Sequence, residues 1–441
     1  MTRLTAWLKS DRGILRSALV LGGGTAVGQG IMIAATPLIS RLYTPENIGQ
    51  FALYLSFIGV AVTIAPLGYQ RAIPQTSTKQ EAAHLATGIL LVQPLMCLLL
   101  VMGQWFLMSR NIAGFGDLPV YTVFLTGFTI LANSLLFTLQ FWFIRAESYS
   151  IISRVQIFQN IGRATCQVGL GIAGSGLFGL IAGDFSGRLL GLAGMVRNAW
   201  SDLAGTFRPY RPELFRAAFT KYRKFLFPQL PSIVINTTAR MLPIPLMVHF
   251  YGADGAGLYA MVDRVMQVPL AFVSKSFGNA LHGRVGNLSR NDPGRIMGVF
   301  MRTAGGLFLA GIAPAVAILL WGDTIFVFVL GEQWHQAGLI AARIAPLALL
   351  SLVVSTSSSV VYIFQAFYTE LLYNITSLAF VIGVFMVGAR REWELLTTVS
   401  WLAGFGIVAY ALYFVLLVLI IRRGVPSLIA ELGSVDESGT F

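Results

Sequence analysis

Charged side chains inside apolar segments are the residues of this sequence most able to do chemistry. Arg163 lies in the middle of IFQNIGRATCQVGL, and Asp184 and Arg188 lie one helical turn apart in GDFSGRLLG. The second half of the chain adds Arg240, Asp263, Arg264, Arg302 and Arg343. A charge inside a bilayer is costly unless it faces protein or water, so such residues predict a functional site.

Arginine dominates this set, and carboxylates are few. The summed charge is positive, which suits an anion such as phosphate or pyrophosphate, because a guanidinium group binds these groups bidentately. Local ion pairs are the alternative for any single residue: Asp184 with Arg188, or Asp263 with an arginine of a neighbouring span. For the whole set we favour an anion site, because the arginines outnumber the acids that could neutralise them.

Motifs for several other chemistries are absent from the sequence. It contains no GxxxxGK[ST] phosphate loop, no HExxH, no GxSxG and no cluster of Cys and His ligands. We therefore expect no catalysis, metal site or cofactor, and, for any transport across the bilayer, energy drawn from a gradient or from downstream consumption. A membrane glycosyltransferase or polymerase acting on polyprenyl-linked sugars is an alternative, but it would need a compact group of acids in a substantial outer loop, and the predicted outer loops are short.

Membrane-spanning helices must position these charges. Of the 441 residues, 56% are hydrophobic and only 11% are charged, and the mean hydropathy is +0.72. This leaves too little polar surface for a soluble globule. We predict an all-α polytopic membrane protein with about twelve spans of roughly 20 residues each. Their expected starts lie near Ile14, Ile48, Ala83, Val120, Ile151, Leu177, Phe225, Gly257, Ile296, Gly338, Leu371 and Leu395.

Basic loops and linkers predict the organisation of the chain. Most Lys and Arg residues between spans fall on one side, which places both termini in the cytoplasm. We predict an interfacial helix at 1–13, a first lobe at 14–196, a basic linker at 197–224, a second lobe at 225–423 and a cytoplasmic tail at 424–441. The net charge of +12 is spread over these loops, which indicates anionic lipid and orientation as its cause, not nucleic acid.

An internal repeat relates the two predicted lobes. At a shift of 208 residues ATPLISRLYTPENIGQFALY falls on PIPLMVHFYGADGAGLYAMV, so that Tyr43 matches Tyr251 and Gly49 matches Gly257. Both copies are predicted as helix, tight outer turn and helix, and six spans separate them. This predicts a parallel repeat about a pseudo-twofold axis along the membrane normal, with the substrate path between the halves.

Four segments carry a resemblance to a known family. In chain order they are SRLYTPENIGQFALYLSF with PLGYQRAIPQ, GLFGLIAGDFSGRLLGL, FPQLPSIVINTTARMLPIPLMVHFYGADGAGLYAMVDRVMQVPLAFVSKSFGNAL and LGEQWHQAG. They resemble the polysaccharide or O-antigen flippases of the multidrug/oligosaccharidyl-lipid/polysaccharide exporter superfamily. The resemblance implies two six-helix lobes around a cationic cavity that opens alternately to each side of a bacterial inner membrane. The implied substrate is an undecaprenyl-pyrophosphate-linked oligosaccharide, an O-antigen or exopolysaccharide repeat unit, moved from the cytoplasmic to the periplasmic leaflet.

The resemblance also implies roles for single residues and for partners. Asp263 or Asp184 would couple transport to H+ or Na+, and Arg71 and Lys275 would lie near the cytoplasmic mouth. Membrane lipids and polysaccharide polymerase or assembly proteins are the implied partners. The expected substrate-binding residues are Arg163, Arg188, Arg240, Arg264 and Arg302.

Three other functions compete with this interpretation. A cationic drug exporter of the same superfamily would prefer an acidic and aromatic cavity, opposite in charge to the set above. A flippase for cell-wall precursors usually has additional spans, which this length barely permits. A non-transporting scaffold would leave the intramembrane arginines without a purpose.

Overall fold

The computed structural model describes residues 2–206, 219–227, 229–364 and 367–438, and within these ranges it contains helices and no strands. The predicted all-α class is therefore confirmed. Over the described part of the chain there are twelve α-helices: α1 Thr2–Leu42, α2 Pro45–Ile64, α3 Lys79–Ser109, α4 Tyr121–Arg145, α5 Tyr149–Ile172, α6 Gly176–Thr206, α7 Gln229–Met241, α8 Pro243–Asn291, α9 Ile296–Leu330, α10 His335–Ser357, α11 Phe367–Arg390 and α12 Leu395–Ser438.

Most helix starts lie within about four residues of the predicted span starts, but α1 begins at Thr2, well before the predicted start near Ile14. A second departure is in the middle of the chain, where α7 and α8 follow each other with only Leu242 between them. The backbone of α8 breaks at Gly252, with φ 73° and ψ 175°, inside the turn that the sequence predicts there. The predicted seventh span therefore corresponds to α7 plus the start of α8, and the eighth to the rest of α8.

Eight helical stretches among the described residues are long and apolar enough to cross a membrane. This is fewer than the number of predicted spans, partly because the stretch from Gln229 to Asn291 counts as one. Another reason is polarity: α5 carries Gln156, Gln159, Asn160 and Arg163, which lower its hydropathy although its 24 residues are long enough to span.

The chain divides into two compact units, Met1–Gly257 and Leu258–Phe441. In the first unit α5 packs against α1 and α6, α4 packs against α3 and α6, and α2 packs against α4, α6 and α7. In the second unit α10 packs against α9 and α12, and α11 packs against α12. The predicted lobe boundaries stay predictions, and residues 207–218 of the predicted basic linker lie outside the described residues.

The two copies of the predicted repeat contact each other within the first unit. A Cβ atom added to Gly49 would overlap the Ala253 carbonyl oxygen, and one added to Gly257 would overlap the Pro45 carbonyl oxygen. The contact is reciprocal, because Pro45 and Ala253 are themselves matched by the 208-residue shift. Only glycine allows two backbones to approach so closely.

Candidate functional site

A buried carboxylate in the first unit lies between two arginines. Asp184 on α6 is only 2% exposed. Its Oδ2 atom lies 2.6 Å from Nε of Arg188, one turn further along α6, and its Oδ1 atom lies 3.1 Å from Nε of Arg163 on α5. The contact with Arg188 is a hydrogen-bonded ion pair, whereas the contact with Arg163 lacks hydrogen-bond geometry. The local pair predicted from the spacing is confirmed, and it has a second arginine.

Close packing of α5 on α6 brings Arg163 to this carboxylate. The two helices are joined by a short turn in which Gly174 has a φ of 70°. A Cβ atom on Gly187 of α6 would lie 2.6 Å from the Gln159 carbonyl oxygen and 2.8 Å from Cβ of Arg163. The absence of a side chain at Gly187 therefore lets the arginine of α5 reach across to α6.

Buried polar side chains of α2 and α4 extend the cluster. Arg188 donates through Nη1 to Oδ1 of Asn133, and Asn133 donates through Nδ2 to the Thr129 carbonyl oxygen at 3.0 Å. Tyr54 donates its hydroxyl to Oγ1 of Thr129 at 2.8 Å. Because Asn133, Thr129 and Tyr54 are all buried, these bonds hold the arginine in one orientation. Hydrogen bonds of this kind satisfy groups that would be costly to leave unpaired.

A cavity of about 280 Å³ opens beside this cluster, within the first unit. Its polar lining consists of Arg71, Arg188, Gln70, Asn133 and Thr63, and the rest of the wall is mostly apolar surface from α2, α4 and α7. Among the described residues that line the cavity, none is acidic. The cavity is therefore cationic: Asp184 can neutralise only one of Arg163 and Arg188, and Arg71 adds a further positive charge.

The turn before Arg71 places that residue at the cavity. Gly68 has a φ of 77° and caps a short 3-10 helix, Tyr69–Gln75. Gly68, Gln70 and Arg71 all line the cavity. Since a left-handed conformation is readily adopted only by glycine, Gly68 determines where this turn can occur.

The other predicted site residues are not part of this cluster. Arg240, the last-turn cation of α7, is exposed. In the second unit Arg264 is half-buried and Arg302 and Lys275 are exposed. Asp263 lines a separate cavity of about 50 Å³, next to Tyr259 and Gln267. Their assigned roles stay predictions.

Asn133, Gln70 and Tyr54 are not among the site residues predicted from the sequence. For Asn133 the sequence does contain a pattern: Thr122, Thr126, Thr129 and Asn133 recur at three- and four-residue spacing in the apolar helix α4, and all are buried. Such a polar stripe predicts one face of a helix turned towards protein. Among the described residues no three His, Cys, Asp or Glu side chains are grouped so that they could hold a metal ion.

Comparison with known proteins supports the predicted family. The sequence profile described as "Polysaccharide biosynthesis protein" matches residues 38–338, more than half of the chain. None of the curated proteins matches the sequence significantly.

Solved structures of transporters share the fold. The chain is similar to a multidrug resistance MATE family transporter of the MOP superfamily in an inward-facing conformation, with a TM-score of 0.64, 14% identity, and coverage of 93% of this chain and 96% of the other. It is also similar to the lipid II flippase MurJ in an inward closed conformation, with a TM-score of 0.66, 14% identity, and coverage of 96% and 93%. A MATE transporter of Vibrio cholerae gives a TM-score of 0.53 at 14% identity, with coverage of 94% and 97%.

The matched family and the similar structures are those of transporters and flippases, not of enzymes. The apolar helices and this fold describe a multi-pass membrane protein. The chain therefore belongs to the polysaccharide biosynthesis protein family and has the fold of the MOP-superfamily transporters.

Proposed function

We propose that this protein is a flippase for an undecaprenyl-pyrophosphate-linked oligosaccharide, the repeat unit of an O-antigen or an exopolysaccharide. It moves this lipid from the cytoplasmic to the periplasmic leaflet of a bacterial inner membrane by alternating access. The observation that carries the proposal is the cavity in the first unit, whose lining in the described part of the chain includes two arginines and two amides and no acid.

The chemistry of the cavity wall favours a diphosphate. Arginine presents several N–H groups in a planar fork that matches phosphate oxygens. Arg188 uses Nε for Asp184 and Nη1 for Asn133, and its third nitrogen is not needed for either contact. Arg71, which also lines the cavity, supplies a second fork. The side-chain amides of Gln70 and Asn133 add neutral N–H donors, which leave the net charge of the cavity unchanged.

The size of the cavity sets what part of the substrate it can take. At about 280 Å³ it lies near the lower end of small-molecule sites, which begin at roughly 300 Å³. It can hold the diphosphate headgroup, whereas the glycan must extend beyond it. The apolar remainder of the wall suits the first isoprene unit of the lipid.

Asp184 keeps the two arginines in place when the headgroup is absent. Without this acid, Arg163 and Arg188 would repel each other in a medium of low dielectric constant. When the headgroup binds, its negative charge takes over part of the neutralisation that Asp184 provides to these arginines. Asp184 is then a candidate for exchange of a coupling H+ or Na+, and Asp263 in the second unit is the other candidate.

Translocation in liposomes tests the proposal. Purified protein is reconstituted, and transfer of a polyprenyl-pyrophosphate oligosaccharide between leaflets is followed for the wild type, Arg188→Met and Arg71→Met. We expect each variant to lower the rate about 10- to 100-fold, because each removes a charged hydrogen-bond donor to the headgroup. Arg154→Met is the matched control: Arg154 is an exposed arginine of α5 whose Nε donates to the Ser150 carbonyl oxygen.

The outcomes separate the competing functions. Equal rates in all four proteins would move the binding site away from this cavity. No movement of the lipid, together with efflux of a cationic dye, would favour the drug exporter.

A further inference from the structure

A short segment before α7 packs against one end of the first unit. We call residues 219–227 the strap. The ring centroid of Phe219 lies 4.3 Å from that of Tyr69, and the Tyr69 hydroxyl donates to the Phe219 carbonyl oxygen at 3.2 Å. Tyr222 is 8% exposed and belongs to an apolar cluster with residues of α3 and of the 3-10 helix Tyr69–Gln75. The strap is therefore docked by apolar contacts.

One carboxylate adds a polar anchor to this docking. Glu81, in the first turn of α3, accepts from Nζ of Lys221 at 2.5 Å and from the hydroxyl of Tyr222 at 3.2 Å. It also accepts from the Ser77 backbone N–H at 2.9 Å. Two of these three donors belong to the strap. Hydrogen bonds to an ionised group are stronger than neutral ones, so Glu81 is the main polar link between α3 and the strap.

The strap lies next to the cationic cavity. A Cβ atom added to Gly68, which lines the cavity, would be 2.9 Å from the Phe225 carbonyl oxygen of the strap. Leu230 and Ile233 of α7, which follows the strap directly, also line the cavity. Further along α7, Met241 lies beside Gly59 of α2: a Cβ atom added to Gly59 would be 3.6 Å from Cγ of Met241. The position of the strap thus determines how the first turns of α7 lie against the cavity.

We propose that Glu81 is a positioning residue that, through Lys221 and Tyr222, holds the strap and the start of α7 against the cavity, and that release of this contact opens the cavity to water. The inference rests on the proposed function only in taking this cavity as the headgroup site.

The contact is suited to reversible release. The Lys221 side chain is 54% exposed, so water and anions reach it. Phe219 and Phe225 are only half-buried and Phe227 is 70% exposed, so the apolar docking is incomplete. Segments with few buried contacts are the ones that open first. A diphosphate headgroup that reaches Lys221 competes with Glu81 for the same ammonium group, which links arrival of the substrate to opening.

The accessibility of a cysteine in the cavity tests this proposal. Thr63 is half-buried and lines the cavity, so Thr63→Cys is introduced together with Cys166→Ala, and the native Cys97 is kept. The purified protein in detergent is treated with a water-soluble maleimide, and the two labelled sites are separated by mass spectrometry. Cys97 is buried and donates to the Gly127 carbonyl oxygen, so it reports general loosening of the fold.

We expect Lys221→Met to raise the labelling rate at position 63 by about two- to five-fold, as for loss of a partly exposed ion pair. The double variant Lys221→Met/Tyr222→Phe should raise it further, and Lys221→Arg should restore the wild-type rate. Arg223→Met is the matched control, because Arg223 is an exposed cation of the same strap and forms no ion pair with a described residue. Labelling of Cys97 should stay unchanged throughout.

The proposal is overturned if the double variant labels at the rate of Arg223→Met, or if position 63 and Cys97 rise together. The labelling needs no substrate. A protein that does not translocate lipid in liposomes can therefore still show the expected change in labelling at position 63. Unchanged labelling, in turn, leaves the translocation result unaffected.

Discussion

Substitution of Asp184 by Asn tests the charge cluster of the first unit most sharply. The change keeps the shape of the side chain and removes its charge. Asp184 is 2% exposed and lies 2.6 Å and 3.1 Å from two arginine Nε atoms. Removing one partner of a buried ion pair typically costs about 3–5 kcal/mol, because the remaining charge is left uncompensated. Here two guanidinium groups would be left, so we expect a loss at the upper end of this range.

A second substitution shows whether repulsion is the cause. The double variant Asp184→Asn/Arg163→Met removes one of the two uncompensated charges. Arg188 keeps its hydrogen bond to Oδ1 of Asn133. We expect this double variant to be more stable than Asp184→Asn alone, which is a coupling energy of the kind that double-mutant cycles detect between contacting residues. Unfolding of the purified protein by denaturant in mixed micelles, followed by tryptophan fluorescence, measures these differences.

Asp292→Asn is the matched control for this measurement. Asp292 pairs with Arg295 three residues later, but the two side chains are 45% and 79% exposed. An exposed pair is worth at most about 1 kcal/mol. If Asp184→Asn destabilises the protein no more than Asp292→Asn does, the cluster is not the buried charge system described above.

Three further predictions concern packing and pH. Gly187→Val should separate α5 from α6 and lower both stability and translocation, measured as unfolding midpoint and liposome rate, because the new side chain would meet the backbone of Gln159. Gly257→Ala should weaken the contact with Pro45, seen as faster labelling of a cysteine placed at Pro45, whereas Gly283→Ala, at an open position, should have no effect. Glu81 raises the pKa of Lys221 by accepting its hydrogen bond. On the alkaline side of neutrality the pair is therefore complete below the ordinary lysine pKa of about 10.4 and is lost as the pH rises through the raised value, so labelling of position 63 relative to Cys97 should increase there only in strongly alkaline solution.

Local patterns in the sequence predicted most of the helices. Apolar runs, Gly and Pro breaks and charges place most of their starts within a few residues of those observed, α1 excepted, and the break at Gly252 falls in the predicted turn. The pairing of Asp184 with Arg188 also follows from local spacing, since residues four apart share one helix face. These features depend on neighbours in the chain.

The remainder of the site depends on contacts between distant parts of the chain. Arg163 joins Asp184 only because Gly187 lets α5 approach α6, and Asn133 reaches Arg188 from a helix 55 residues earlier. The close contact between Gly49 and Gly257 is likewise tertiary, although the repeat had matched these two positions. A single sequence contains no direct information about such distances, so the predicted set of five substrate-binding arginines was broader than the cluster observed.

Binding of the headgroup is the most direct test of the central claim that the cationic cavity of the first unit recognises a lipid diphosphate. Native mass spectrometry in detergent would compare undecaprenyl pyrophosphate with undecaprenol on the wild type, Arg188→Met and Arg154→Met. We predict that the wild type and Arg154→Met bind the diphosphate in preference to the alcohol, and that Arg188→Met loses this preference by about tenfold or more. Equal preference in all three proteins would contradict the account.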